Sequence, residues 1–155
     1  MLRFFTDMSR SMTHPGWQTS AGTEYWREMG KTLGRTQGFQ EALSNPTTVG
    51  NIYEGFFRKN EPSLGHYFAS LVELLSYLDR GDIDDQKSLS RLLRAQLSSN
   101  ELNMIFYHGF SPIGAQQLKP YLEKYGLLKF LQPTSGGNVR HYYAASAYLD
   151  YMPNQ

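Results

Sequence analysis

The sequence contains no cysteine. Disulfides, thiolate catalysis and cysteine-based zinc sites are therefore excluded, and the composition fits a reducing compartment. Nor does one sign of charge dominate. Fifteen Lys and Arg stand against fourteen Asp and Glu, for a net charge of +1. The whole chain thus carries no electrostatic footprint for nucleic acid. Long apolar runs are missing too. None approaches the roughly eighteen residues that a membrane-crossing helix requires, and the start, Met1-Leu-Arg-Phe-Phe5, is too short an apolar stretch for a secretory leader. The chain is expected to be soluble and cytoplasmic, with no membrane partner. The common chemical signatures are also absent: no Walker loop, no nucleophile elbow, no His-Glu-x-x-His helix, no histidine pair at metal-ligand spacing beside an acid. No cofactor and no metal are expected. The arginine-to-histidine spacing of helical toxin ribonucleases is missing as well. Three residues separate Arg10 from His14, and seven separate Arg58 from His66.

Aromatic residues are plentiful: eleven Tyr, nine Phe and two Trp. They read as a core and interface built from large side chains, with a base-stacking surface as the alternative. Length favours one domain, large enough to bury its own core. Residues 1–22 mix Ser, Thr, Met and Gly around His14-Pro15-Gly16, which reads as a loosely held N-terminal arm with a short helix near residues 2–9. A helical domain then fills residues 23–155. Thr23 caps a first helix carrying Tyr25, Trp26, Met29 and Leu33, Gly34 breaks it, and a second runs from about Thr36 to Leu43 before Asn45-Pro46 closes it.

Thr47 or Thr48 caps the next helix, whose Val49, Ile52, Tyr53, Phe56 and Phe57 form a helical stripe. Glu61-Pro62-Ser63 is expected to end it and start another, with Leu64, Tyr67, Phe68, Leu71, Leu75 and Leu78 as the strongest periodic run and Gly81 as the stop. Asp84 or Asp85 stands at the start of a helix with Leu89, Leu92, Leu93 and Leu97 on its apolar face. Ser98 and Glu101 fit a capping box for the helix of Leu102, Ile105, Phe106 and Phe110, which Ser111-Pro112 stops. A helix begins near Lys119 with Pro120 in its first turn, and Gly126 interrupts it. Residues 132–138 form a polar loop. Ala144, Ala145 and Ala147 favour a last helix in the tyrosine-rich tail between Val139 and Met152. The sum is an all-α, single-domain irregular bundle of about seven to eight helices.

Several of these segments carry more than periodicity. The chain reads Gly34-Arg35, Phe39, Tyr53, Leu64-Gly-His-Tyr-Phe68, Leu71, Leu74-Leu75, Tyr77 and Leu78-Asp79. It goes on with Leu93-Arg-Ala-Gln-Leu-Ser98, Glu101-Leu102, Phe106-Tyr107, Ser111, Lys119-Pro120 and Leu122-Glu-Lys-Tyr125. In order and spacing these resemble the putative phage abortive infection proteins of bacteria, over residues 34–131. Members of that family often carry membrane helices ahead of this domain, and none is expected here. Two positions depart from the family pattern: Ala69 stands where an Arg usually follows Gly-His-Tyr-Phe, and His108 where an Asn is common after Phe-Tyr. The resemblance implies a role in antiphage defence. It supplies no catalytic residues.

The residues themselves offer one candidate polar set. His66, Arg94, Glu101 and His108 are the candidates for catalysis, and Tyr67, Gln96 and Tyr107 for binding. Gln96 falls near the apolar stripe, at three and four residues from Leu93 and Leu92, and a buried Gln needs partners. The structural reading is a buried Arg94–Gln96–Glu101 network that fixes the bend between two helices. The sharper reading is a cleft lined by His66, Arg94 and Glu101 that binds phosphate or a nucleotide. His66 is either a general base or a structural histidine, and His108 sits favourably at a helix C-terminus without any catalysis. The leading expectation is a sensor or adaptor, dimeric or monomeric, that binds a phage or host protein. An RNA- or nucleotide-directed toxin using the polar set is one alternative, although net charge does not support nucleic acid. A soluble decoy of a defence system is the other.

Overall fold

A computed structural model describes residues 45–80, 85–131 and 139–150. The expected N-terminal arm, the helices before residue 44, the Gly81 stop and the 132–138 loop lie outside the described residues. Those that are described hold four α-helices and two single-turn 3₁₀ segments, with no strand among them. The all-α class holds, and the expected count of seven to eight helices does not hold for the described part.

Helix α1, Pro46–Asp79, accounts for one difference, because it runs unbroken for 34 residues, about 50 Å. The cap is Asn45 rather than Thr47 or Thr48. Its side chain accepts from the backbone N–H groups of Thr47 and Thr48 at 3.0 and 3.3 Å. Pro46 then fills the first turn, where a missing N–H costs nothing. Pro62 lies inside this helix rather than at a boundary. The physical reason is the phase of the apolar stripe: Val49, Tyr53, Leu64, Tyr67, Phe68, Leu71, Leu75 and Leu78 are all buried along one continuous line. Residues 61–63 and Arg58 are exposed, so Pro62, which leaves the Arg58 carbonyl without a helical donor, stands on the outer side of the helix. Nearby, Asn60 donates to the Phe56 carbonyl at 2.9 Å and Arg58 pairs with Glu54 one turn back.

Helix α2, Gln86–Gln96, starts on Asp85, whose carboxylate accepts from the Ser88 N–H at 2.8 Å. Helix α3, Ser99–Phe110, opens on the expected capping box: Ser98 accepts from the Glu101 N–H and Glu101 accepts from the Ser98 N–H. From Met104 to Gly109 every residue of α3 is buried, which makes it the central element. Helix α1 packs against it and against α2, and α4, Lys119–Tyr125, packs on it from another side. Pro120 sits in the first turn of α4, and Gly126 ends it in the left-handed conformation at φ 59°. A side chain there would strike the Leu149 carbonyl, so glycine is required twice over.

The tail departs from expectation. Its alanines do not build an α-helix. Two 3₁₀ turns, Val139–Tyr142 and Ala145–Tyr148, form instead, with Ala144 extended between them. Tertiary packing overrides local propensity here. Tyr142, Tyr143 and Ala147 are all buried, and the Tyr143 hydroxyl donates to the Phe106 carbonyl. Leu128 N–H donates to the Ala147 carbonyl at 2.9 Å. A regular helix running on past Ala147 would spend that carbonyl on its own backbone and leave none for the Leu128 N–H.

Candidate functional site

The polar residues of the sequence fall into separate environments. His66 is exposed on α1, facing away from the core that its neighbours Tyr67 and Phe68 enter. Gln96 is exposed as well, at the end of α2, so the expectation that it lies buried on the apolar stripe is corrected. The buried face of α2 is Ser90, Leu93 and Arg94 instead, while Leu92 points outward. Glu101 is spent on the cap of α3, and its carboxylate accepts from Ser98 N–H at 2.7 Å. The Arg94–Gln96–Glu101 network does not form. Glu101 is three residues past the Ser98 cap, so its carboxylate turns back onto the Ser98 N–H at the start of α3 and does not reach α2's buried side.

Arg94 has other partners. Its guanidinium is 3% exposed. Nη2 donates to Asp150 Oδ1 at 2.8 Å, and Nη1 donates to the carbonyls of Gly126 and Leu149 at 3.3 and 3.4 Å. Lys129 donates to the second oxygen of Asp150. The hydrogen bonds of Lys129 and then Arg94 hold the Asp150 carboxyl below its ordinary range. Arg94 therefore ties α2 to the turn after α4 and to the tail. Asp150 and Lys129 were not singled out from the sequence. The pair Arg94–Asp150 spans 56 positions, and an acid among tyrosines gives no signal of its partner.

His108 is buried near the end of α3 inside an aromatic cage. Its ring stacks on Phe68 at 3.7 Å and 7°, with Phe57 at 5.0 Å and Tyr53 edge-on at 5.8 Å. Nδ1 lies 3.2 Å from the Tyr53 hydroxyl. Burial pushes the imidazole down to about 4, so it is neutral at pH 7. Gly114 packs so closely on the His108 carbonyl and ring that no side chain fits there. Ser111 completes the enclosure, its hydroxyl donating to the His108 carbonyl at 2.8 Å. Tyr107 is buried next door, and burial raises its phenol to about 12. Tyr67 is buried too, its hydroxyl without a hydrogen-bond partner, and desolvation followed by the Glu101 charge pushes its pKa well up. Among the described residues no group of acids and histidines is placed to hold a metal ion. Chemically, the His108 cage is a closed packing unit and the Arg94 centre is a charged tie.

Residues 59–135 match the family model for the putative phage abortive infection protein. The matched stretch begins inside α1, within the unbroken helix just before Pro62, and runs through α2, α3 and α4. It therefore takes in Leu64–Phe68, Leu93–Ser98, Phe106–Tyr107 and Lys119–Tyr125, the segments that carried the resemblance, and starts later than the residue 34 expected. The match supports, at a coarse level, a link to antiphage defence. Arg94, His108 and Lys129 fall within the family segment, whereas Tyr53 and Asp150, which complete their surroundings, fall outside it. No curated protein matches the chain, and no solved structure does. Among the described residues no helix is long and apolar enough to cross a membrane.

Proposed function

We propose that this protein is a non-catalytic sensor or adaptor of an abortive infection response, acting in the cytoplasm by binding a phage or host protein. One observation supports this over the toxin reading: the ionisable candidates do not converge. His66 is exposed, Glu101 caps a helix, Arg94 is tied to the tail, and His108 is enclosed by rings. Catalysis by general acid and base requires such groups within hydrogen-bond reach of one substrate. Meanwhile four large apolar side chains, Tyr77, Leu92, Phe130 and Leu149, stand about half exposed, and aromatic side chains such as Tyr77 and Phe130 are enriched in protein interfaces.

The test is a phage-protection assay joined to affinity capture from infected cells. His66→Ala and Glu101→Gln are expected to keep protection. Phe130→Ser with Leu92→Ser is expected to lose both protection and a captured protein, while keeping the native circular dichroism spectrum. Loss of protection in folded His66→Ala, with capture unchanged, would sink the adaptor reading in favour of the toxin. Expression that weakens another defence system instead of protecting would favour the decoy.

A further inference from the structure

Arg94 carries more charge and more donors than its surroundings use. Two cations, Arg94 and Lys129, converge on one carboxylate, that of Asp150, which is itself 45% exposed. The carboxylate splits its oxygens, Oδ1 to Arg94 Nη2 and Oδ2 to Lys129. Arg94 Nη1 is directed at two backbone carbonyls. The Nε–H, fully buried, has no hydrogen-bond partner. A guanidinium offers Nε and Nη as a planar fork that two oxygens of one oxyanion match side-on. Asp150 cannot fill that fork, because its second oxygen is taken by Lys129.

A tetrahedral phosphate has the oxygen that the carboxylate lacks. Two of its oxygens would take the Nε/Nη2 fork while a third meets Lys129, and its second negative charge would balance the second cation. The route is short. Ala147 stays anchored through its burial and its bond from Leu128 N–H, and the ligand would take the places of Leu149 and Asp150 beyond the second 3₁₀ turn, which hold the Arg94 Nη groups. We propose that Arg94 and Lys129 form a binding site for the phosphate group of a small molecule, with Asp150 as an internal stand-in that the ligand displaces. The phosphate site does not rest on the partner-binding reading above, although Leu149 belongs to both, and its titration can fail without that reading failing.

The experiment is a titration of the full chain, labelled with ¹⁵N-arginine, following the Arg94 Nε–Hε resonance as inorganic phosphate or ADP is added. Asp150→Asn removes the competing charge while keeping an acceptor, so half-saturation is expected at a concentration at least tenfold lower than in the wild type. Lys129→Met is expected to weaken the response at least tenfold. Tighter binding of ADP than of phosphate identifies a nucleotide as the source, and equal binding identifies free phosphate. Half-saturation unchanged by Asp150→Asn, or an Arg94 resonance that neither ligand moves in that variant, overturns the proposal. If Asp150→Asn does not fold, the wild type decides: a saturable shift of Arg94 that Lys129→Met abolishes supports the site, and no shift at high millimolar phosphate overturns it.

Discussion

At the scale of single residues, His108 shows how an aromatic cage turns a titratable group into a structural one. Folded, its imidazole is held down to about 4 by burial; unfolded, it returns to about 6.5. Between those values the unfolded chain binds a proton that the native state refuses. Stability is therefore full above pH 6.5 and falls as pH drops toward 4, by roughly 3 kcal/mol in all. Asp79 and Asp150 have lowered carboxyl pKa values, Asp79 through Lys124 and Tyr125 and Asp150 through Lys129 and Arg94. Their stabilisation is lost only below the ordinary carboxylate range, so the two windows separate. Urea denaturation at pH 7, 5.5 and 4.5 should show the decline in the wild type and a nearly flat profile in His108→Phe, which keeps the stack on Phe68 without the titrating nitrogen. A slope unchanged by that substitution would mean that the acid sensitivity has another source. Sequence alone placed His108 at a helix end but could not reveal its cage. Tyr53, Phe57 and Phe68 come from a different helix, and the nearest of them in the chain is 40 positions away.

At the scale of elements, Pro62 is the informative position. As the first residue of a new helix it would be favourable, and replacing it would gain little. Inside a continuous helix it removes one backbone hydrogen bond and crowds the preceding turn, which costs on the order of 1–3 kcal/mol. Pro62→Ala is thus expected to raise the unfolding free energy by that amount, measured by thermal melting or chemical denaturation; neutral or destabilising behaviour would show that the helix breaks there. The element boundaries with explicit side-chain chemistry were legible beforehand. The Ser98–Glu101 capping box, an acid at the head of α2 (Asp84 or Asp85 by sequence, Asp85 in the fold), Pro120 in the first turn of α4 and Gly126 at its end each express local hydrogen bonding or backbone sterics. The cap of α1 was expected at Thr47 or Thr48 and lies at Asn45, because an Asn beside a Pro serves at either end of a helix, and only the direction of its side chain, toward the Thr47 and Thr48 N–H groups, marks it as a start.

For the whole molecule, the tail is part of the core. Tyr142, Tyr143 and Ala147 lie in the same core as Phe106, Leu122 and Leu128, although they fall beyond the family-matched stretch. Tyr142 stacks with Phe106 at 6.0 Å and meets Phe110 edge-on at 4.8 Å. A chain cut after residue 138 would expose the sides of α3 and α4 that these residues cover. Burial of large side chains contributes about 1.5–3 kcal/mol each, so the truncated protein is expected to lose roughly 5 kcal/mol. Near-ultraviolet circular dichroism should collapse while much of the far-ultraviolet helical signal persists. A truncation that melts as cooperatively as the full chain would show the tail to be an accessory.

The sequence by itself determined the helical class, most helix starts and stops, and the family segment, because these depend on periodicity and on bonds between residues a few positions apart. Tertiary structure alone decided which polar residues meet. Arg94 binds Asp150 rather than Glu101, and His108 meets Tyr53 rather than an acid. Those partners are set by how α1, α2, α3 and the tail pack, and packing follows shape and buried area, which the spacing of residues along a chain does not specify. The tail makes the same point in its backbone: its alanines favour a helix, and the core that receives Tyr142, Tyr143 and Ala147 bends it into two 3₁₀ turns instead.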